Sequence, residues 1–188
     1  MNSTYHEAKN AQQIFSFDEV NRAIQSLAEE INFLAQGEEY LVISLLNGAT
    51  IFSGLILPHL TFPLKMDYIH LSRYQNNQHG GEIKIVAEPK EALRDCRVLL
   101  LDDICDEGRT LEFANNYCMQ AGAKSVLNAV LARKVLNDPH KFAVQNKLID
   151  SLKISFALEV PDVFVFGMGM DVGGYLRNMP GIFQFNRD

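Results

Sequence analysis

The sequence predicts an α/β fold, with a mostly parallel, twisted sheet flanked by helices. Three observations carry this expectation. Short apolar runs alternate along the chain with segments of helical periodicity, the order expected of strand–helix–strand crossovers. One run, Val98 to Leu101, is apolar without alternation, as a strand covered on both faces would be. Two aspartates, Asp102 and Asp103, follow it at once, and open α/β sheets place ligands outside the carboxyl ends of their strands.

The elements follow in order. Ser16-Phe17-Asp18-Glu19 has the form of a capping box, with Ser16 as N-cap and Glu19 reaching back to it. Val20, Ile24, Leu27, Ile31 and Leu34 then recur at spacings of four and three, one apolar stripe on a helix that ends near Gly37. Tyr40 to Leu46 reads as a strand followed by the Asn47-Gly48 turn, and Ile51 to Leu60 as a helix broken near Pro58. Leu64 to Leu71 and Glu82 to Ala87 read as strands around a polar, mobile loop at Ser72 to Gly81. Arg97 to Leu101 is the central strand. Thr110 to Ala121 is a helix with Leu111, Ala114, Cys118 and Ala121 on one face and Gly122 at its end. Ser125 to Leu131 is a further strand, Val135 to Leu152 a loop or short helix, and Val163 to Met168 a late strand before a Gly-rich stretch.

Composition bounds the function. The 188 residues are 47% hydrophobic and 21% charged, as expected of a globular chain with a sizeable core and a single domain spanning 1–188. The formal net charge of −6 argues against broad electrostatic binding to nucleic acid. Three cysteines, Cys96, Cys105 and Cys118, form no C-x-x-C pair, which fits a reducing compartment. No stretch has the length and apolarity of a membrane span, and Met1 to Phe15 lacks the apolar core of a signal peptide. The expectation is a cytoplasmic protein without membrane contact. The five histidines show no ligand spacing, so no zinc site is expected.

The chemistry concentrates in Asp102-Asp103-Ile104-Cys105-Asp106-Glu107-Gly108-Arg109-Thr110. Paired carboxylates at a strand end accept hydrogen bonds from two ribose hydroxyls, and they attract Mg²⁺, which prefers oxygen ligands. The turn at residues 106–110 leads into a helix, whose unpaired N–H groups and dipole bind anions. Gly108 permits close approach of a phosphate, and the Thr110 hydroxyl suits either a phosphate oxygen or the helix cap. Asp106 is the candidate for proton transfer. Together these residues point to an enzyme acting on a phosphorylated ribose.

This block resembles the signature of the type I phosphoribosyltransferases. Leu46-Asn47-Gly48-Ala49, Lys134 after Leu131, and Pro161-Asp162 through Asp171 to Arg177 fall in the order of the hypoxanthine-guanine branch. The resemblance covers roughly residues 38–185. It implies the type I fold, with a core at about 38–170 and a small hood formed by the N-terminal segment and the last part of the chain. It also implies transfer of the phosphoribosyl group of phosphoribosyl pyrophosphate (PRPP) to a 6-oxopurine base, with Mg²⁺, by a homodimer or homotetramer.

Site roles follow from the same resemblance. Residues 106–110 hold the 5′-phosphate, with Asp102 and Asp103 on the ribose and metal. Leu46, Asn47 and Gly48 bind pyrophosphate through backbone N–H groups, often across a cis peptide. Ser72, Arg73 and Tyr74 open a loop that closes over the reacting centre. Lys134 meets O6 of the purine, with Arg133 as a nearby alternative donor; Phe164 stacks on the ring and Val165 reads its edge. Asp171 holds a second Mg²⁺, and Arg177 contacts the leaving pyrophosphate. The chain departs from the usual pattern at Glu107, where many relatives carry Thr, at the uncharged Asn47, and where Arg73 separates Ser72 from Tyr74. Glu107 is expected to turn its carboxylate to solvent. The alternatives are an enzyme preferring xanthine or guanine, and a PRPP-binding regulator of the same fold. A Rossmann dehydrogenase would need a G-x-G-x-x-G segment, and there is none.

Overall fold

The structure is a computed structural model and describes residues 8–73 and 83–186. A short turn of 3-10 helix leads into strand β1 (Gln12–Ser16) and helix α1 (Phe17–Ala35). Both halves of the capping box form: Ser16 accepts from the Glu19 N–H, and the Glu19 side chain accepts from Ser16. Strand β2 (Tyr40–Leu46), helix α2 (Thr50–Ile56), strand β3 (Leu64–Arg73) and strand β4 (Ile83–Ala87) come next. Strand β5 (Arg97–Cys105), helix α3 (Arg109–Gln120), strand β6 (Ser125–Val135), helix α4 (Pro139–Leu152) and strand β7 (Ile154–Pro161) complete the core. The two short strands β8 (Val165–Phe166) and β9 (Gly181–Gln184) follow.

The main sheet has six strands in the order β4-β3-β2-β5-β6-β7. All neighbours are parallel except the β3–β4 pair at one edge. The predicted mixed, mainly parallel α/β fold is thus present. Two cores cover its faces. Leu99 and Leu101 of β5 pack with Val20, Ile24 and Phe52 of α1 and α2, while Val98 and Leu100 pack with Leu111 and Ala114 of α3. This division explains the unbroken apolar run, since alternate side chains enter opposite layers and both layers are dry. A second, three-stranded antiparallel sheet in the order β1-β9-β8 joins the two ends of the chain.

Several expectations need correction. Within residues 135–152, Val135 ends β6 and Pro139–Leu152 form a 14-residue helix, α4, with Asp138 as side-chain N-cap and Pro139 in its first turn. Its one fully buried position is the polar Gln145, so no apolar stripe marks it. Strands β1, β7 and β9 lacked an assigned signal, and the late strand shrinks to Val165–Phe166. Leu34 is 41% exposed, and Ala28 and Ala35 fill the inner face of α1 in its place. The loop expected from residue 72 starts later, because Ser72 and Arg73 still pair with Lys84 and Ile83. Tyr74 and most of that loop lie outside the described residues.

The largest correction concerns β5, which continues through Asp102 and Asp103 to Cys105. Its two edges end differently. Pairing with β2 stops at Ser44↔Leu101, whereas pairing with β6 continues to Cys105↔Arg133. The aspartates are therefore anchored on one side and open on the other. The strand order also reverses between β2 and β5, the point at which open sheets leave a crevice.

Candidate active site

Two adjoining cavities sit over this crevice. One, of about 370 Å³, is lined by Leu46, Asn47, Gly48, Asp102, Asp103, Asp106, Thr110, Asp171 and Arg177, among others. Its neighbour, of about 520 Å³, is lined by Lys134, Phe164, Val165, Met170 and Gly173. Asp103, Ile104, Asp106 and Asp171 line both. Most of the site residues expected from the sequence thus meet in one place.

The floor is acidic. Asp102 Oδ1 accepts from the Asp103 N–H, and Asp103 Oδ1 from the Ile104 N–H. Burial holds the Asp103 carboxyl above the usual carboxylate range; hydrogen bonding to Asp102 and Ile104 and the charge of Arg177 oppose it. The Leu46–Asn47 peptide is cis, as the resemblance implied. Gly48 packs directly on Asp103: a Cβ there would lie 2.1 Å from Asp103 Oδ2. Only a residue without a side chain lets this loop reach the floor.

The opposite wall is a small clasp. Asp171 Oδ1 pairs with Arg177 Nη2 at 2.7 Å, and its Oδ2 accepts from the Gly174 N–H at 2.6 Å. Arg177 Nη1 also donates to the Gly169 carbonyl. Gly169 is not among the site residues expected from the sequence, and the Gly-rich 167–174 stretch is the signal that marks it.

At the junction of the cavities, Lys134 Nζ lies 3.0 Å from Asp106 Oδ2. Phe164 projects beside them, 59% exposed, as a ring available for stacking. Arg133 does not share this place. Strand alternation sends it to the other face, where it is buried and bonds Gln145 and Glu159. It is therefore no alternative to Lys134.

Residues 106–110 enter α3 as expected, with Gly108, in the left-handed region, as N-cap. Thr110 is consequently not the cap, and it lines the first cavity instead. The side chains of Glu107 and Arg109 line a separate outer groove with Lys141. There the Glu107 carboxylate pairs with Arg109 Nε at 3.0 Å and Lys141 Nζ at 2.8 Å. It turns away from the cavity, as expected, but into an ion-pair cluster.

Cys105 behind this turn is inert packing. Burial, reinforced by Asp102, pushes its thiol up to about 11, and burial pushes Cys118 up to about 12. Iodoacetamide at pH 8 is therefore expected to alkylate native protein only at the partly exposed Cys96, and all three cysteines after denaturation. Intact mass reports the count, and rapid native alkylation at Cys105 would contradict this packing.

For Mg²⁺, the donor set is purely hard oxygen, with no nitrogen or sulfur ligand, and Asp102, Asp103 and Asp171 line the same cavity. Among the described residues no three acidic, His or Cys side chains gather into a cage. The set fits a cation that keeps most of its shell from water and substrate oxygens, as Mg²⁺ does.

These features define a phosphoribosyl-binding α/β enzyme, and comparison with known proteins agrees. The chain belongs to the phosphoribosyl transferase domain family, whose model matches residues 10–171. It is similar to the hypoxanthine-guanine phosphoribosyltransferase of Bacillus subtilis, at 29% identity over 90% of this chain and 89% of that protein. The Aquifex aeolicus protein of the same name is 28% identical over 94% of this chain and 95% of its own length. The bifunctional protein TilS/HprT of Listeria innocua is 32% identical over 90% of this chain, which spans only 25% of that longer protein. In fold, the chain is similar to a hypoxanthine phosphoribosyltransferase of Staphylococcus aureus, with a TM-score of 0.82 and 22% identity over 99% of this chain and 96% of that one.

Proposed function

We propose that the chain transfers the 5-phosphoribosyl group of PRPP to hypoxanthine or guanine, releasing pyrophosphate and giving the nucleoside 5′-monophosphate. The observation that carries this reading is the Asp106–Lys134 pair at the seam between an acidic cavity and one with an exposed aromatic ring. A 6-oxopurine presents O6 and N7 side by side on one edge. An ammonium and a carboxylate 3.0 Å apart address that edge together.

In this reading PRPP lies in the first cavity. The N–H groups of residues 106–110 and the Thr110 hydroxyl hold its 5′-phosphate, and Asp102 and Asp103 accept from its ribose hydroxyls. The backbone of Leu46, Asn47 and Gly48 and the guanidinium of Arg177 face its pyrophosphate. Asp102, Asp103 and Asp171 would hold Mg²⁺, which when bound offsets the charge of the phosphates. The base lies in the second cavity, stacked on Phe164, with its edge against the Val165 backbone. Purine N9 attacks the anomeric carbon as the bond to pyrophosphate breaks. Asp106 takes the N7 proton and Lys134 meets the charge growing on O6. Ser72, Arg73 and Tyr74 begin the segment that would exclude water. We place this activity in the cytoplasm, in one domain with the β1-β9-β8 sheet as its hood, assembled as a homodimer or homotetramer. Among the described residues no helix is long and apolar enough to cross a membrane.

The test is direct. Purified protein is mixed with PRPP, Mg²⁺ and, separately, hypoxanthine, guanine and xanthine, and nucleotide is followed by absorbance and chromatography. IMP or GMP is the expected product. Formation of neither would overturn the reading.

A further inference from the structure

We infer that Gln145 of α4 is a positioning residue that holds Asp106 against Lys134. The β5–β6 ladder ends at Cys105↔Arg133, so Asp106 and Lys134 are the first facing pair beyond it. Gln145 stands where the next rung would be. Its Nε2 donates to the carbonyl of Asp106 and, at 2.9 Å, to that of Lys134, with the Cys105 carbonyl at 3.4 Å. One amide thus ties together the backbones of two residues whose side chains form the central ion pair.

The amide is itself held. Gln145 is 1% exposed, and its Oε1 accepts from Arg133 Nε at 3.3 Å. That bond fixes which end of the amide faces the carbonyls. Arg133 is kept in place by Glu159 at 3.2 Å, by Asn146, and by the rings of Phe142 and Phe156. A buried polar side chain is expensive unless fully bonded. Here both polar ends are bonded, and the two shortest bonds go to the carbonyls of Asp106 and Lys134. Helix α4 thus carries a crosspiece at this point of the fold, with Lys141 on its outer face reaching Glu107 of the same turn.

This inference rests on the proposed reaction for its kinetic part and is independent of it for its structural part. Gln145→Met keeps the volume and removes every hydrogen bond. Hydrogen–deuterium exchange of the full chain without substrates is the first readout. Amides of residues 105–110 are expected to exchange about tenfold faster in Gln145→Met, while those of β2 and α1 stay unchanged. The second readout is a kinetic cycle with Lys134→Met. Gln145→Met alone should lower kcat by roughly tenfold or more, and should cost less than about threefold more once Lys134 is gone. A purely structural role would give multiplicative losses. Should Gln145→Met not fold, Arg133→Lys removes the anchor of the amide and is read in both assays. Unchanged exchange at 105–110 in a folded variant, or multiplicative losses, would overturn the inference. Absence of any transfer by the wild-type chain would instead overturn the proposed reaction and leave the exchange result to decide on Gln145.

Discussion

Asp106→Asn is expected to lower kcat by about 10²–10⁴, the range a positioned general base supplies. The substitution is nearly isosteric, and Asn can still accept from Lys134 Nζ across the present 3.0 Å. Geometry therefore survives while the capacity to take a proton is lost. The Asp106 side chain is 47% exposed, so water compensates much of the missing charge and the fold should hold. PRPP affinity should change little, because in the proposed reading the turn would hold phosphate through backbone groups and Thr110. Single-turnover kinetics together with calorimetric titration of PRPP separate the two effects. Near-normal turnover in the variant, with PRPP bound, would remove Asp106 from the proton path.

Gly169→Ala should be strongly damaging for so small a change. Gly169 has φ +106, which L residues rarely adopt, and a Cβ there would lie 2.1 Å from the Gly48 carbonyl oxygen. The obstacle is backbone, with no flexible end to swing aside. Strain of about 1–3 kcal/mol from the dihedral adds to overpacking of about 1–3 kcal/mol. The same collision pushes the Leu46–Gly48 loop off Asp103, so PRPP binding should fall with stability. Urea unfolding and PRPP titration measure both. A variant within about 0.5 kcal/mol of wild type, the range of an ordinary surface change, and with full PRPP affinity, would show that the two loops do not pack as described.

Much of this architecture could be read from the chain. Residues 98–110 announced the central strand, the acidic floor and the turn into α3, because burial on both faces and a helix start leave local signatures. Elements held by long-range pairing did not announce themselves. The strands β1 and β9 are short, and they bond to each other from opposite ends of the sequence. Helix α4 is weakly signalled because its one fully buried residue is a glutamine and its apolar contacts, Ile149 and Leu152, come only at its end, although Asp138-Pro139 is a start signal. Gln145 has no local signature, because its partners are backbone carbonyls in two distant segments. Arg133 and Lys134 could not be told apart by type, only by which side of β6 each one takes.

The unequal ends of the β5 ladders divide the labour of the active centre. The half that would face the base is fastened rung by rung to β6 and then by an amide strut; the half that would face pyrophosphate is a loop resting by contact on the central strand. Changes confined to β6 and to Phe164 would therefore act first on the half that would face the base. The loop after β8 touches both halves, through Gly169 on Gly48 and through Asp171, and would transmit changes between them.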